Sequence, residues 1–121
     1  MEIPTLIWYP SCSTCKRAHG WLAGQGIPFK TRNIKTENPT ADEMAGWLAL
    51  GGLPLKKLIN VTGTLYRSMG LKDKLPNMSE QEILNLLATN GMLVKRPILV
   101  IKNRVIAGFK EADWARALGI G

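Results

Sequence analysis

The sequence predicts an α/β fold, and three observations carry that reading. Thr5-Leu6-Ile7-Trp8-Tyr9 is a short apolar, β-branched and aromatic run that ends at Pro10 and passes directly into a helical pattern. Sheet character returns late, at Pro97–Ile101 and Val105–Phe109. Between them, from about 40 to 90, apolar residues recur at helical spacing behind two N-terminal capping signatures. The order is therefore strand, helix, strand, helical block, then two strands and a helix. With no repeat and no linker, residues 1–121 read as a single domain whose helical block (about 40–90) is an insertion. The strands on either side of it need each other to make a sheet.

Taken in order, residues 13–24 are helical because Cys15, Ala18, His19, Leu22 and Ala23 recur at three and four, and Gly24 and Gly26 stop them. Pro28 to Ile34 reads as a second strand, and its charged Lys30 and Arg32 suggest a wet face or an edge position. Thr40-Ala41-Asp42-Glu43 is a capping box, followed by the stripe Met44, Trp47, Leu48 and a stop at Gly51-Gly52. Pro54 opens a short helix to about Leu58 or Ile59. Asn60 to Gly63 reads as a turn, and Tyr66 to Met69 as a helical piece closed by Gly70. Ser79 to Glu82 is the second capping box, with Met78 and Ile83 as its staple pair, and Asn90-Gly91 reads as the helix stop. Lys102-Asn103-Arg104 reads as a tight turn between the last two strands. Glu111 to Leu118 is a final helix with acids in its first turn and Gly119 behind it. Trp8, Trp21, Trp47 and Trp114 each fall on an apolar face and read as core.

Composition narrows the function classes. No apolar run approaches the ~18 residues of a membrane span. Met1-Glu2-Ile3-Pro4 has no basic n-region, so a secretory signal is not expected. Sixteen Lys and Arg against nine Asp and Glu give +7, which favours anionic partners. The basic residues are spread out, with pairs at Lys16-Arg17, Lys56-Lys57 and Lys95-Arg96. Direct nucleic-acid binding is therefore not expected, since such footprints cluster more tightly.

The cysteines carry most information. The chain has two, in Cys12-Ser13-Thr14-Cys15, at the strand-to-helix junction. That spacing reads as a redox pair in a reducing compartment. Unpartnered N–H groups and the positive dipole end of a helix stabilise a thiolate at Cys12, and Lys16 and Arg17 add charge one turn on. Cys15 is then the resolving thiol, and a Cys12–Cys15 disulfide is expected in the oxidised protein. The plain alternative is two buried structural cysteines. A zinc site is not expected, because one C-x-x-C and His19 fall short of four ligands. His19 lies on the Cys15 face of the helix and reads as a partly exposed histidine. Arg96, before Pro97, is on spacing alone most simply an exposed charge, with a fixed cation at a functional loop as the alternative.

These residues together resemble a known family. Tyr9-Pro10-Ser11-Cys12-Ser13-Thr14-Cys15-Lys16, Asn33-Ile34 with Asn38-Pro39-Thr40, Tyr66-Arg67 through Gly70-Leu71, Gly91 through Lys95-Arg96-Pro97-Ile98, and Gly108-Phe109 are similar to the arsenate reductase-like (ArsC/Spx) branch of the thioredoxin fold. The likeness is strongest to the Spx-like, arsenate reductase-related proteins of Gram-positive bacteria. The resemblance implies a thioredoxin-like, mixed four-stranded sheet with the insertion between its second and third strands. It also implies a cis peptide before Pro97 and Arg96 near the sulfur of Cys12. Cys12, Cys15 and Arg96 are the implied catalytic residues, with Ser13, Thr14 and Pro97 supporting them. In arsenate reductases three arginines hold the oxyanion; one matches Arg96, the second position falls on Asn60 and the third at or near Gly108. In Spx-type regulators a C-x-x-C switch accompanies binding to the C-terminal domain of the RNA polymerase α subunit, and residues 50–57 depart from their pattern. The expectation is a cytoplasmic thiol-disulfide oxidoreductase or redox-responsive protein acting on a thiol or disulfide. It needs no bound cofactor, and glutathione, bacillithiol or thioredoxin would be the reductant. A redox-switched transcription regulator is the alternative and a true arsenate reductase the third reading.

Overall fold

A computed structural model describes residues 3–120. Four strands, β1 (Thr5–Trp8), β2 (Lys30–Asn33), β3 (Ile98–Ile101) and β4 (Arg104–Ala107), form one sheet in the order β2-β1-β3-β4. β1 pairs parallel with β2 and antiparallel with β3, and β3 pairs antiparallel with β4. This is the mixed, thioredoxin-like sheet that the resemblance implies. β2 lies at an edge, as its charged residues suggest. Among the described residues six α-helices accompany the sheet: α1 (Ser13–Gly24), α2 (Ala41–Ala49), α3 (Thr64–Ser68), α4 (Leu71–Lys74), α5 (Glu80–Leu87) and α6 (Glu111–Leu118). Helices α2 to α5 all lie between β2 and β3 in sequence, which is the insertion.

Side chains alternate across a strand, so adjacent residues feed opposite cores. Leu6 and Leu99 pack with Ala18 and Leu22 of α1 and Trp114 of α6. Ile7 and Ile98 face the other way, onto Met44, Leu58, Leu71, Leu84 and Leu87 of the insertion. Both capping boxes are formed: the Thr40 and Ser79 side chains accept from the Glu43 and Glu82 amides, and both glutamates reach back. Glu43 also takes a two-pronged ion pair from Arg32 of β2, at 2.7 and 2.9 Å, which ties α2 to the edge strand. That bond is the chief reason the Glu43 carboxyl sits at about 2.

The structure corrects several local readings. Asn90-Gly91 does not stop α5. The Asn90 side chain caps a new 3-10 turn, Gly91–Leu93, by accepting from the Met92 amide. Gly91 is required there because a Cβ would stand 2.1 Å from the Ile34 carbonyl oxygen. The segment after Gly70 continues as α4 and a 3-10 turn, Leu75–Asn77, because Leu71 is an anchor in the core. Arg104 belongs to β4, paired with Ile101, so only Lys102-Asn103 turn the hairpin. Trp47 and Trp114 are core, but Trp8 and Trp21 are only partly buried. Trp8 stacks on His19 with ring centres 4.5 Å apart. Among the described residues no helix is long and apolar enough to cross a membrane.

Candidate functional site

The C-x-x-C stretch sits where β1 gives way to α1. The chain turns over Pro10-Ser11, with the Cys12 amide donating to the Tyr9 carbonyl at 2.9 Å. Cys12 is then the N-cap of α1, with extended backbone, and the Lys16 amide donates to its carbonyl. The cap position normally holds an oxygen that accepts from the first free amides of the helix. Sulfur stands there instead. The neutral thiol makes no cap hydrogen bond, yet a thiolate at this place faces the amides of Cys15 and Thr14. Cys12 is partly exposed, Cys15 is fully buried, and the two sulfurs are not bonded to each other.

Their acidities diverge. Burial works against ionisation of Cys12, but the Cys15 amide and thiol, the Arg96 guanidinium and the Thr14 amide outweigh it and hold the thiol below its ordinary value. Cys15 is pushed up to about 12, first by burial; the Tyr9 amide pulls the other way, and the bond and charge of Cys12 push it higher still. Lys16 and Arg17, read from sequence as the cations near the pair, are exposed, and Arg17 turns to the Thr14 hydroxyl at 3.4 Å. The cation acting on the sulfurs is Arg96.

Arg96 is placed by the insertion and by the entry to β3. The Arg96–Pro97 peptide is cis. Before it, Val94 bridges to Ile59 and the Lys95 amide donates to the Leu58 carbonyl at 2.7 Å. The guanidinium lies over the Tyr9 ring, 5.5 Å from its centre, and one Nη donates to the Met92 carbonyl at 3.4 Å. Its Nε is buried without a hydrogen-bond partner. Buried donors are nearly always satisfied, so this one is an exception, on a guanidinium whose charge acts on both cysteine sulfurs. Arg96 is thus no surface charge. His19, by contrast, is held between Trp8 and Phe29.

Cys12, Thr14 and Arg96 line one cleft of about 950 Å³. Asn60 and Gly108, the other two positions matched to oxyanion-holding arginines, line the same cleft and bring no cation. Their convergence is what the resemblance requires. The chemistry they once implied is not: the Asn60 side-chain amide donates to the Met92 carbonyl at 3.2 Å, bracing the loop that carries Arg96. Other cations do line the cleft, among them Lys56, Lys57, Arg104 and Lys110. Sequence spacing gave no sign that these scattered residues would meet. Among the described residues no cluster of metal-ligating side chains occurs.

The chain resembles known proteins along nearly its whole length. The chain is 43% identical over 115 residues to the uncharacterised protein YusI of Bacillus subtilis, covering 92% of this chain and 98% of that protein. It is 32% identical to the global transcriptional regulator Spx of Enterococcus faecalis, over 94% of this chain and 85% of the regulator. A putative ArsC family related protein from Bacteroides fragilis superposes with a TM-score of 0.90 at 43% identity, covering 95% of this chain and 97% of the other. The ArsC family model matches residues 7–117, from the strand before Cys12 to the last turn of α6. With a match that runs through all four strands and the helical insertion between the second and third, the chain belongs to the ArsC family.

Proposed function

We propose that this protein is a thiol-disulfide oxidoreductase in which Cys12 attacks and Cys15 resolves. The observation that carries the reading is the division of labour between adjacent thiols, one accessible and acidic, the other buried and held protonated. The Cys12 thiolate attacks one sulfur of a substrate disulfide. The substrate S–S bond breaks, the first substrate thiolate leaves and takes a proton from solvent, and a mixed disulfide joins Cys12 to the second half. Cys12 then carries no charge, so two of the influences that hold Cys15 high are gone, and the Tyr9 amide and Arg96 favour its thiolate. Cys15 gives up its proton and attacks the Cys12 sulfur, releasing the second thiolate. The substrate gains two electrons and two protons, and the protein is left with a Cys12–Cys15 disulfide. An external thiol or dithiol reductant, of the glutathione, bacillithiol or thioredoxin class, restores it.

The test is intact mass. After an oxidant, the wild type should lose two protons and resist alkylation. Cys15→Ser should accumulate a mixed disulfide with substrate, and Cys12→Ser should do neither. An unchanged wild-type mass with both thiols still alkylatable would refute the reading.

The likeness to Spx supports a second reading, a redox-switched regulator. It predicts stoichiometric binding to the RNA polymerase α C-terminal domain, with no turnover and no direct DNA contact. Arsenate reduction is the weakest reading. With Asn60 and Gly108 in place of two charge-assisted clamps, oxyanion affinity should be low, and reduction with glutaredoxin or thioredoxin should be slow.

A further inference from the structure

The cleft beside Cys12 is larger than its chemistry needs. At about 950 Å³ it lies at the upper end of the ~300–1,000 Å³ usual for small-molecule sites. One wall is β4 and the turn that follows it: every residue from Arg104 to Lys110 contributes, and the strand itself spans ~10 Å at strand rise. β4 is an edge strand, and among the described residues no strand pairs with its outer side. The register says which groups that side offers. The Gly108 amide donates inward to the Pro97 carbonyl at 2.8 Å, and antiparallel bonding alternates, so Ile106 and Arg104 also bond inward. Val105 and Ala107 therefore turn their N–H and C=O outward, into the cleft wall.

The charge is equally one-sided. Arg104 stands at one end of β4 and Lys110 three residues past the other, and Lys56, Lys57, Lys95 and Arg96 line the same cleft. The one acid in the lining, Asp113, is engaged by Arg116. An open strand edge in a cleft lined by six cations fits an extended polypeptide with acidic side chains. Its backbone would pair with Val105 and Ala107, and its carboxylates would meet the lysines and arginines. A small anion needs only the charges near the sulfur, and a nucleic acid has no use for the strand edge.

We propose that this cleft docks an extended acidic segment of a protein whose cysteine or disulfide is the substrate, adding it as a fifth strand along β4. The proposal rests on the oxidoreductase reading for its chemistry, but docking is measured separately.

The experiment is fluorescence anisotropy with the whole chain and a labelled, cysteine-free ten-residue peptide of alternating Glu and Thr. At low salt it should bind about tenfold more tightly than its Gln/Thr counterpart, with the advantage shrinking as salt rises. Methylating alternate backbone nitrogens should abolish binding. Arg104→Gln with Lys110→Gln should weaken it about tenfold. Ala107→Pro removes an outward donor and no ladder bond, so it too should weaken binding while leaving the circular dichroism unchanged. A single-stranded oligonucleotide of equal length and glutathione disulfide should each compete poorly. Docking is overturned if the Gln peptide or the methylated peptide binds equally well, if the oligonucleotide or glutathione disulfide competes better than the unlabelled Glu peptide, or if no peptide binds. A disulfide-bearing version separates the two claims. Tight binding without reduction would refute the oxidoreductase reading alone, and reduction without acidic preference would refute docking alone.

Discussion

At neutral pH Cys12 should be alkylated far faster than Cys15, because their ionised fractions differ by roughly three orders of magnitude. The thiolate is the species that alkylates. With Cys15 at about 12, only about 10⁻⁵ of it is ionised at pH 7, against about 10⁻² for a thiol at the ordinary 9.0. Cys12 lies below that ordinary value, so its ionised fraction is larger than 10⁻² by the same arithmetic. The ratio of ionised fractions is therefore about a thousandfold or more, and the burial of Cys15 also hinders the reagent's access to it. Under limiting iodoacetamide at pH 7 the native protein should gain one adduct, mapped by proteolysis to Cys12. In urea both should react alike. Cys12→Ser removes the bond and charge that Cys12 imposes but not the burial, so Cys15 should react faster there yet stay slower than an exposed thiol. Two adducts forming in parallel on the native wild type, or a first adduct on Cys15, would refute the division of roles.

Three further outcomes follow from named contacts. In a Cys15→Ser background, Arg96→Ala should raise the Cys12 pKa and slow its alkylation near pH 6 about threefold, while Arg104→Ala titrates like the parent. Matching profiles for the two would remove Arg96 from the site. Glu43→Gln should cost about 1–2 kcal/mol in urea denaturation at pH 7, well under the ~3.4 kcal/mol that a drop from 4.5 to about 2 would imply, because the pair is partly open to solvent. A lowered carboxyl pKa stabilises above the unfolded value, so the difference should shrink as pH falls from about 4.5 towards 2, and a constant difference would exclude the ion pair as its source. Gly91→Ala should lower stability by about 2–3 kcal/mol, because its Cβ meets backbone at Ile34 rather than a yielding side chain, and an unchanged thermal midpoint would show that the 3-10 turn can move away.

Much of the fold was legible because local signals and burial agree. The capping boxes at Thr40 and Ser79 needed only a hydroxyl and a glutamate at fixed spacing, and both formed. The apolar runs at residues 5–8 and 98–101 formed the two central strands, where both faces are covered. Local rules failed where a distant contact decides. Gly91 looks like a helix stop by composition, but the Ile34 carbonyl, far away in sequence, dictates it. Lys16 and Arg17 look like the charges for Cys12, yet they project from α1 into solvent while Arg96 arrives from the other end of the chain. Composition gave the excess of positive charge, but its convergence on one cleft depends on β4, the insertion and the loop before Pro97 meeting in space.

Asn60 shows how the insertion and the thiol site are one device. It stands where an oxyanion-holding arginine would be expected, and its amide donates to the Met92 carbonyl, the same oxygen that takes a bond from Arg96. Its own backbone N–H is fixed to the Leu93 carbonyl at 2.9 Å, and the next rungs are Ile59 against Val94 and Leu58 against Lys95. These bonds form a short ladder between the insertion and the chain entering β3. Leu58, Leu93 and Val94 bury their side chains in the insertion's own core, so the ladder is anchored by packing as well as by hydrogen bonds. The guanidinium is consequently held at the sulfurs by residues from a segment that supplies no nucleophile. Asn60 therefore contributes no charge of its own to the cleft and instead steadies the cation that acts on the sulfurs. A guanidinium held in this way favours a thiolate at Cys12.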